Sequence, residues 1–483
     1  MTEKIRLRYA PSPTGYLHIG NTRTALMNYL FAKHFNGDFI VRIEDTDLER
    51  NVEGAIESQF ANLEWLGIDI DESFFKPGNE SYGKYKQSEK FKRYEDFANK
   101  LVTQKKAYFC FCTPEELEQD YKQQEAKGIV ATKYSGKCKL LLQEEIDKKI
   151  SNNQEYSIRF AVIDDQIHFE DFVKGNISFD SSELGDFVIL KSNKIATYNF
   201  AVVVDDHDMD ITHVLRGEEH ISNTPRQILI YKAFDWKMPV FGHMSLIIDS
   251  SGKKLSKRSG NALFFIEQYK KQGYLPEAML NYISLLGWSP SGEKEIFSKD
   301  ELIKIFDDKR FSKSPSTFDM TKMKWINSQY MKKMSDEKYL DFVFNFINKE
   351  IYGIESKSKD WINKMLLLFK NEIEFGEQIN DHLDLFFVDK QISLELKSKF
   401  NEILNAPLVL NAFEQGIVNI KEWTIEKIKD VIKVVSNTTQ TKGKELFMSA
   451  RIGCTSSEHG PSLAEVIYLL GKEKVLNNIK KVK

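Results

Sequence analysis

Residues 5–21 read Ile5-Arg6-Leu7-Arg8-Tyr9-Ala10-Pro11-Ser12-Pro13-Thr14-Gly15-Tyr16-Leu17-His18-Ile19-Gly20-Asn21, and this stretch decides the fold. Its first six residues alternate apolar and charged side chains, the period of a strand. The Pro- and Gly-rich segment that follows is a loop. Beyond it, Leu26, Tyr29 and Leu30 mark one face of a helix that stops at Asn36-Gly37. Phe39-Ile40-Val41-Arg42-Ile43 is a second strand, running into Glu44-Asp45-Thr46-Asp47. Strand, loop, helix and strand in that order predict a βαβ unit and a parallel α/β sheet, with ligands at the C-terminal ends of its strands.

The rest of the chain limits what that unit belongs to. At 483 residues it is too long for one core, so several domains are expected. An apolar content of 41% and a charged content of 29% are those of a globular chain in water. No apolar run is long enough for a membrane helix, and the first twenty residues lack a signal-peptide core. Cys110, Cys112, Cys138 and Cys454 are too few for a disulfide framework, so a reducing, cytoplasmic compartment is expected. The net charge of −3 makes no global case for nucleic-acid binding, which leaves the question to local patches.

Residues 109–200 open with Cys-Phe-Cys and mix charged helical stretches with short strand-like runs such as Tyr156–Val162 and Phe187–Leu190. They read as an insertion between two halves of the sheet. Strand and helix alternation resumes with Ala201-Val202-Val203-Val204-Asp205, read as a strand, then Ile211–Leu215 and a helix at Thr224–Phe234. After about residue 260 the strand signals fade. Leu340, Val343, Phe344 and Ile347 have helical spacing, as do Ile425, Ile428, Ile432 and Val435, so the C-terminal third reads as a helical bundle.

Two segments carry chemistry. His18-Ile19-Gly20-Asn21 sits where the first loop enters its helix, and free N–H groups at a helix start suit phosphate. Gly15 and Gly20 allow close backbone approach, and His18 can donate to a developing negative charge. Read structurally, the same residues are an ordinary strand-to-helix turn. Lys254-Leu255-Ser256-Lys257-Arg258 follows Asp249-Ser250-Ser251-Gly252, so it is a cationic loop able to close on a triphosphate. Alone, a solvated basic loop explains it better.

Taken together, the two segments resemble the HIGH and KMSKS pair of class I aminoacyl-tRNA synthetases. Arg8-Tyr-Ala-Pro-Ser-Pro-Thr-Gly and Val41-Arg-Ile-Glu-Asp-Thr-Asp narrow the resemblance to the glutamyl/glutaminyl branch. Thr197-Tyr-Asn-Phe-Ala-Val-Val-Val-Asp-Asp-His and Val214-Leu-Arg-Gly-Glu-Glu-His strengthen it, and Phe318-Asp-Met-Thr-Lys-Met-Lys-Trp-Ile-Asn and Gly460-Pro-Ser-Leu extend it towards the C-terminus. The chain thus resembles the bacterial-type glutamyl-tRNA synthetase family over nearly its whole length. One departure is Asn21, which stands where the motif has its second histidine.

The resemblance implies a Rossmann-type catalytic domain in two halves, 1–108 and 201–252, around an inserted α+β acceptor-stem domain at 109–200. It implies a KMSKS loop and stem-contact domain at 253–328 and an all-α anticodon-binding domain at 329–483. It implies a glutamate–tRNA ligase working as a monomer on L-glutamate, ATP with Mg²⁺, and tRNA(Glu). Arg8 and Arg216 would hold the side-chain carboxylate, for which a planar guanidinium fork is suited. Tyr198 would add a hydroxyl, and Glu44 and Ser12 would take the ammonium group. Gly15, His18, Gly20, Glu219, His220, Leu246 and Ile247 would line the ATP site. His18, Lys254 and Lys257 would act on the phosphates. Read structurally, Arg8, Glu44 and Arg216 are an ion-pair cluster at strand ends.

Cys110, Cys112 and Cys138 have thiol spacing that suggests structural zinc. Relatives in which histidine completes such a set have it where this chain has Leu140, whereas Tyr134 matches a tyrosine used in a related enzyme class. Three buried thiols without metal are the plain alternative. Asp205-Asp206-His207-Asp208 reads as a polar strand end whose acids pair with bases rather than as a metal site. Lys322, Lys324 and Trp325 read as RNA-facing or domain-joining. In some relatives an arginine near the position of Lys370–Glu372 discriminates the last anticodon base. Its absence here opens the reading that tRNA(Gln) is charged as well. The competing functions are a glutaminyl-tRNA synthetase, a catalytically silent tRNA-binding paralogue and a nucleotidylyltransferase.

Overall fold

The computed structural model describes residues 4–47, 49–163, 166–256, 263–389 and 391–483. The chain divides into two compact units, Met1–Gln268 with Met279–Met320, and Tyr269–Ala278 with Thr321–Lys483. Among the described residues no helix is long and apolar enough to cross a membrane.

The first unit contains twelve strands among its described residues: β1 (Arg6–Tyr9), β2 (Asp38–Val41), β3 (Glu72–Ser73), β4 (Ala107–Cys110), β5 (Ser157–Phe160), β6 (Gln166–Asp171), β7 (Gly175–Asp180), β8 (Phe187–Leu190), β9 (His213–Gly217), β10 (Val240–Met244), β11 (Ile247–Ile248) and β12 (Ser316–Thr317). Seven of them form one sheet in the order β3-β2-β1-β9-β10-β6-β7. All neighbours in it are parallel except β6 and β7, which form an antiparallel hairpin. The strand order reverses between β1 and β9, and at such a reversal the carboxyl ends of the strands open a crevice for ligands. The loop before His18, the residues after β2 and the end of β9 all meet there.

The expected βαβ unit is present as β1, the helix Ile19–His34 and β2. The environment of β1 differs from its sequence pattern. Apolar–charged alternation signals one wet face, yet all four β1 residues are buried. As a central strand β1 is covered on both sides. Its arginines meet carboxylates instead of water: Arg6 pairs with Asp38 and Glu72, and Arg8 pairs with Asp206.

One element is corrected outright. The run Ala201–Asp205, read as a strand, lies inside the helix Tyr198–Asp208. Phe200 to Val204 are all buried in the main core beside Tyr94, Leu101 and Tyr231. A helix buried on every side shows no amphipathic period, and β-branched residues then imitate a strand. Asp205 and Asp206 thus sit in the last turn of a helix, the unfavourable end for negative charge, where Arg42, Lys90 and Arg8 neutralise them.

The segment 109–200 divides between two sheets. β4, β5 and β8 make their own antiparallel sheet in the order β4-β5-β8, whereas β6 and β7 join the edge of the main sheet. In the ladder register of the described residues β10 meets β6 at one pair, Phe241 with Asp171, and the His243 and Asp171 side chains add a second tie.

The second unit is helical, with no strand among its described residues. Helices Ala406–Val418, Ile425–Thr439 and Gly443–Thr455 enclose Leu410, Phe413, Ile428, Ile432 and Ala450. Ile425, Ile428, Ile432 and Val435 lie on one helix as their spacing requires. Ile347 falls beyond the helix Asp336–Phe344 that carries Leu340, Val343 and Phe344.

Candidate active site

Two adjoining cavities open at the carboxyl edge of the main sheet. The larger, about 700 Å³, is lined by His18, Gly20, Asn21, Arg23, Glu219, Leu246, Ile247, Lys254 and Phe264, among others. The smaller, about 310 Å³, is lined by Arg8, Ser12, Glu44, Tyr198, Arg216 and His220, among others. Asn21, Thr24, Gly217 and Glu219 line both.

His18 is the N-cap of the helix Ile19–His34, and its Nδ1 accepts from the backbone N–H of Asn21 at 3.3 Å. A ring nitrogen that accepts is unprotonated, so in the neutral ring the proton sits on Nε2. The ring stacks on Phe264 at 4.8 Å. A Cβ on Gly20 would lie 3.2 Å from the His18 ring, so glycine there leaves the ring its place. The structural and functional readings of His18 are therefore compatible: capping fixes the tautomer that a phosphate donor needs.

Opposite the helix start, Lys254 pairs with Glu219 at 3.6 Å. Burial disfavours the Glu219 charge, but its own backbone N–H, Lys254, His220 and Arg23 outweigh burial and hold the carboxyl below its usual range. The Glu219 carboxylate lies over Gly217, where a Cβ would fall 2.1 Å from it and would displace the carboxylate from this position. Leu246 and Ile247 offer an apolar wall. Gly15 lines neither cavity; its carbonyl accepts from Gln59 at 2.7 Å. Lys257 lies outside the described residues.

The smaller cavity is strongly charged. Arg8 donates to Asp206 through Nε and Nη2, at 3.1 and 3.2 Å. Asp206 also accepts from Arg42 Nη1 at 2.8 Å, and Arg42 Nη2 donates to Glu44 at 3.1 Å. Burial raises the Glu44 carboxyl above its ordinary range, against the pull of Arg42 and Arg8. Tyr198 hydrogen bonds to His220 Nδ1 at 3.1 Å. Burial, and then Arg216, push His220 down to about 4, so it is neutral at pH 7. Arg216 donates through Nη2 to Thr224 at 2.9 Å and to Gln227 at 2.8 Å, while its Nη1 is buried with no protein partner. A buried guanidinium nitrogen without a partner is costly unless a ligand completes it. Ser12 is exposed at the rim, hydrogen bonded to Thr14.

A separate cluster sits beside β4. The sulfurs of Cys110, Cys112 and Cys138 lie within 4.8 Å of one another, the only such metal-binding grouping among the described residues. Cys112 and Cys138 are 3.5 Å apart, near the ~3.8 Å edge of a tetrahedron built on ~2.3 Å zinc–sulfur bonds. The Tyr134 hydroxyl lies 3.5 Å from the Cys112 sulfur and accepts the Cys138 N–H at 2.8 Å. Arg159 Nε donates to the Cys110 sulfur at 3.2 Å. Leu140 is 83% exposed and belongs to no such set. Three thiols and one phenol fit a closed four-ligand site.

The family description "tRNA synthetases class I (E and Q), catalytic domain" matches residues 4–325, and "Anticodon binding domain" matches residues 331–483. A glutamate–tRNA ligase of Mesoplasma florum is 69% identical over 480 residues, covering 99% of this chain and 100% of that protein. One from Geobacillus thermodenitrificans is 46% identical over 488 residues, covering 100% of this chain and 99% of its own.

The chain belongs to the glutamate–tRNA ligase family of class I aminoacyl-tRNA synthetases.

The crystal structure of a glutamate tRNA ligase from Elizabethkingia meningosepticum in complex with its amino acid has the same fold. The TM-score is 0.87 and the identity 36%, with 99% of each chain covered. Against this family background, Asn21 keeps the place of the missing histidine at the junction of the two cavities. Trp325 is 42% exposed on the helix Met320–Lys333. Asp205, Asp206 and Asp208 pair with basic side chains, as their plain reading required. Sequence reasoning missed Asp206 as the partner of Arg8, Arg23 as a lining cation, and Thr224 and Gln227 behind Arg216. Only Arg23 carried a signal, since it lies five residues after His18, little more than one helical turn.

Proposed function

We propose that the enzyme activates L-glutamate with ATP and transfers it to tRNA(Glu). An α-carboxylate oxygen of glutamate attacks the α-phosphorus of ATP, the bond to the β-phosphate breaks, and pyrophosphate leaves, with Mg²⁺ accompanying the nucleotide. The 2′-hydroxyl of the terminal adenosine of the tRNA then attacks the acyl carbon, giving an ester and AMP. The carrying observation is the pair of cavities joined through Asn21, Thr24, Gly217 and Glu219. One holds two arginines and a carboxylate suited to a dianionic amino acid, and the other holds a helix start and Lys254 suited to a triphosphate. Arg8 and Arg216 take the side-chain carboxylate, and Tyr198 adds a hydroxyl. Glu44 and Ser12 take the ammonium group. His18, Lys254 and Lys257 serve the phosphates, and Glu219, His220, Leu246 and Ile247 surround the adenosine. Orientation of the reactants supplies much of the acceleration, since no protein nucleophile is needed. Glutamate-dependent ATP–pyrophosphate exchange in the presence of tRNA(Glu) tests the reading, and its absence overturns it.

In this proposal residues 109–200 guide the acceptor end and 329–483 read the anticodon of a tRNA bound by a cytoplasmic monomer. The helical second unit favours this over a glutaminyl enzyme with β-barrels, and the complete set of His18, Glu44, Tyr198 and Arg216 favours catalysis over a silent paralogue. Residues 370–372 are Lys-Asn-Glu, and Lys370 is engaged by the Met334 carbonyl and Asp336 at 2.6 and 2.7 Å. With no arginine there, the proposal includes charging of tRNA(Gln). Side-by-side glutamylation of the two tRNAs decides it, and rejection of tRNA(Gln) removes this part alone. The cysteine cluster is proposed to hold structural zinc through Cys110, Cys112, Cys138 and Tyr134, tested by metal content of the purified protein.

A further inference from the structure

Behind Arg216 lies a fully buried pair with no part in the scheme above. His243 on β10 and Asp171 at the end of β6 have side chains 0% exposed. Asp171 Oδ2 lies 2.5 Å from His243 Nδ1. Asp171 Oδ1 accepts three backbone N–H groups, from Val173 at 2.9 Å, Lys174 at 2.8 Å and His243 at 3.2 Å. The carboxylate therefore cannot turn, and only Oδ2 faces the ring. An ionised carboxylate accepts only, so the proton of His243 sits on Nδ1 and the lone pair on Nε2. That lone pair faces Arg216 Nε at 3.1 Å and Thr224 Oγ1 at 3.1 Å. Burial lowers the His243 basicity and Arg216 adds to the effect, so a neutral ring is consistent with this geometry. Arg216 Nε and Nη2 are consequently committed on the far side, and Nη1 remains buried without a protein partner beside the smaller cavity.

We propose that Asp171 and His243 are positioning residues for amino-acid selection: the carboxylate fixes the tautomer of His243, which holds Arg216 with one nitrogen presented to the substrate's side-chain carboxylate. This rests on the reading of Arg216 as the residue that binds that carboxylate.

An isosteric change at Asp171 gives a sharp consequence. In Asp171→Asn the three backbone donors keep the amide oxygen at the Oδ1 position, so the NH₂ group must face His243 Nδ1. Nδ1 must then accept, the ring proton moves to Nε2, and two donors, Nε2–H and Arg216 Nε–H, confront each other. The logic is that of any buried carboxylate that sets an imidazole tautomer. In His243→Gln, by contrast, the side-chain amide can donate to Asp171 and accept from Arg216. A residue that merely filled space would show the opposite order, tolerating Asp171→Asn and suffering from His243→Gln.

The experiment is ATP–pyrophosphate exchange with tRNA present, measuring KM for glutamate and for ATP separately. Asp171→Asn is expected to raise the glutamate KM on the order of tenfold to a hundredfold, the cost of a mispaired buried donor, with the ATP KM nearly unchanged. His243→Gln is expected to stay within a few-fold of the unaltered enzyme. A glutamate KM unchanged in Asp171→Asn overturns the proposal, as does a larger effect from His243→Gln. Should Asp171→Asn fail to fold, nitrogen NMR of His243 in the unaltered protein decides: protonation at Nδ1 supports the proposal and protonation at Nε2 overturns it. Arg216→Gln separates the two levels. If it leaves the glutamate KM unchanged, the reading of Arg216 fails. If it raises that KM while Asp171→Asn does not, only the positioning role fails.

Discussion

Arg8 Nε lies 3.1 Å from Asp206 Oδ1, and the two side chains are each 4% exposed. Around them Glu44, Asp205 and Asp206 face Arg8, Arg42 and Lys90. Burial opposes the Asp206 charge, but Arg8 and Arg42 outweigh it and keep the carboxyl below its usual range. Asp206→Ala leaves two guanidinium groups without their shared partner. Breaking such a pair from one side costs about 3–5 kcal/mol. The expected result is a large drop in the denaturation midpoint of the catalytic unit, together with a raised KM for glutamate as Arg8 loses its aim. A small change in both measurements would show that Asp206 does not organise the cluster.

His18 caps its helix and, in the proposed mechanism, also serves the phosphates. As an N-cap it satisfies the Asn21 N–H, and losing such a cap costs about 1 kcal/mol. His18→Asn is expected to keep the cap and the thermal stability while pyrophosphate exchange falls. His18→Ala should lose both. Gly20→Ala gains up to about 1 kcal/mol of helix propensity, yet its Cβ would press on the His18 ring at 3.2 Å. Stability held or raised, with exchange reduced, is the expected signature.

Lys254 is 61% exposed, and its 3.6 Å contact with Glu219 is screened by water. Lys254→Ala should therefore leave stability unchanged within about 0.5 kcal/mol. Removing a preorganised donor from a phosphate site typically lowers kcat on the order of a hundredfold. Stopped-flow measurement of adenylate formation separates this loss from substrate binding. An unaltered rate would mean that Lys254 only balances Glu219.

His220 gives a signed pH dependence. Its folded value of about 4 lies below the ordinary 6.5, through burial and then the nearby Arg216. Well above pH 6.5 neither the folded nor the unfolded chain protonates it. Between 6.5 and 4 the unfolded chain takes up a proton that the folded chain refuses, so stability falls as the pH falls through this window. From pH 7 to pH 5 the loss from this one group is about 2 kcal/mol. His220→Asn should remove that component, read as a smaller difference between denaturation curves at the two pH values.

The βαβ start, the helix Thr224–Phe234 and the helical second unit were readable because punctuation and period agreed. The helix Tyr198–Asp208 was not, because a helix buried all round has no polar face to reveal its period. Arg8, Glu44, Tyr198 and Arg216 were identified through motifs, and they do line one cavity. Their supports, Asp206, Asp171 and His243, come from distant strands and helices. No local pattern announces a pairing between residues 8 and 206 or between 171 and 243, since long-range ion pairs follow topology rather than spacing.

The cysteine cluster yields the last prediction. Arg159 donates to Cys110 at 3.2 Å and lies over the Tyr134 ring at 4.1 Å. It thus holds one thiol and the phenol that would share a metal. Cys110 is driven down to about 4, chiefly by its hydrogen bond to Cys138 against burial, with Arg159 assisting. If zinc joins Cys110, Cys112, Cys138 and Tyr134, it ties residues 112, 134 and 138 of the segment 111–142 to the end of β4 at Cys110. Removing the metal with a chelator should then speed amide exchange across 111–142 and leave the sheet β1-β2-β3 unchanged. Tyr134→Phe should weaken zinc retention while three thiolates still bind. Cobalt substitution checks this directly: its visible spectrum should be tetrahedral in the unaltered protein and shifted in Tyr134→Phe. A spectrum identical in both would place the fourth ligand elsewhere.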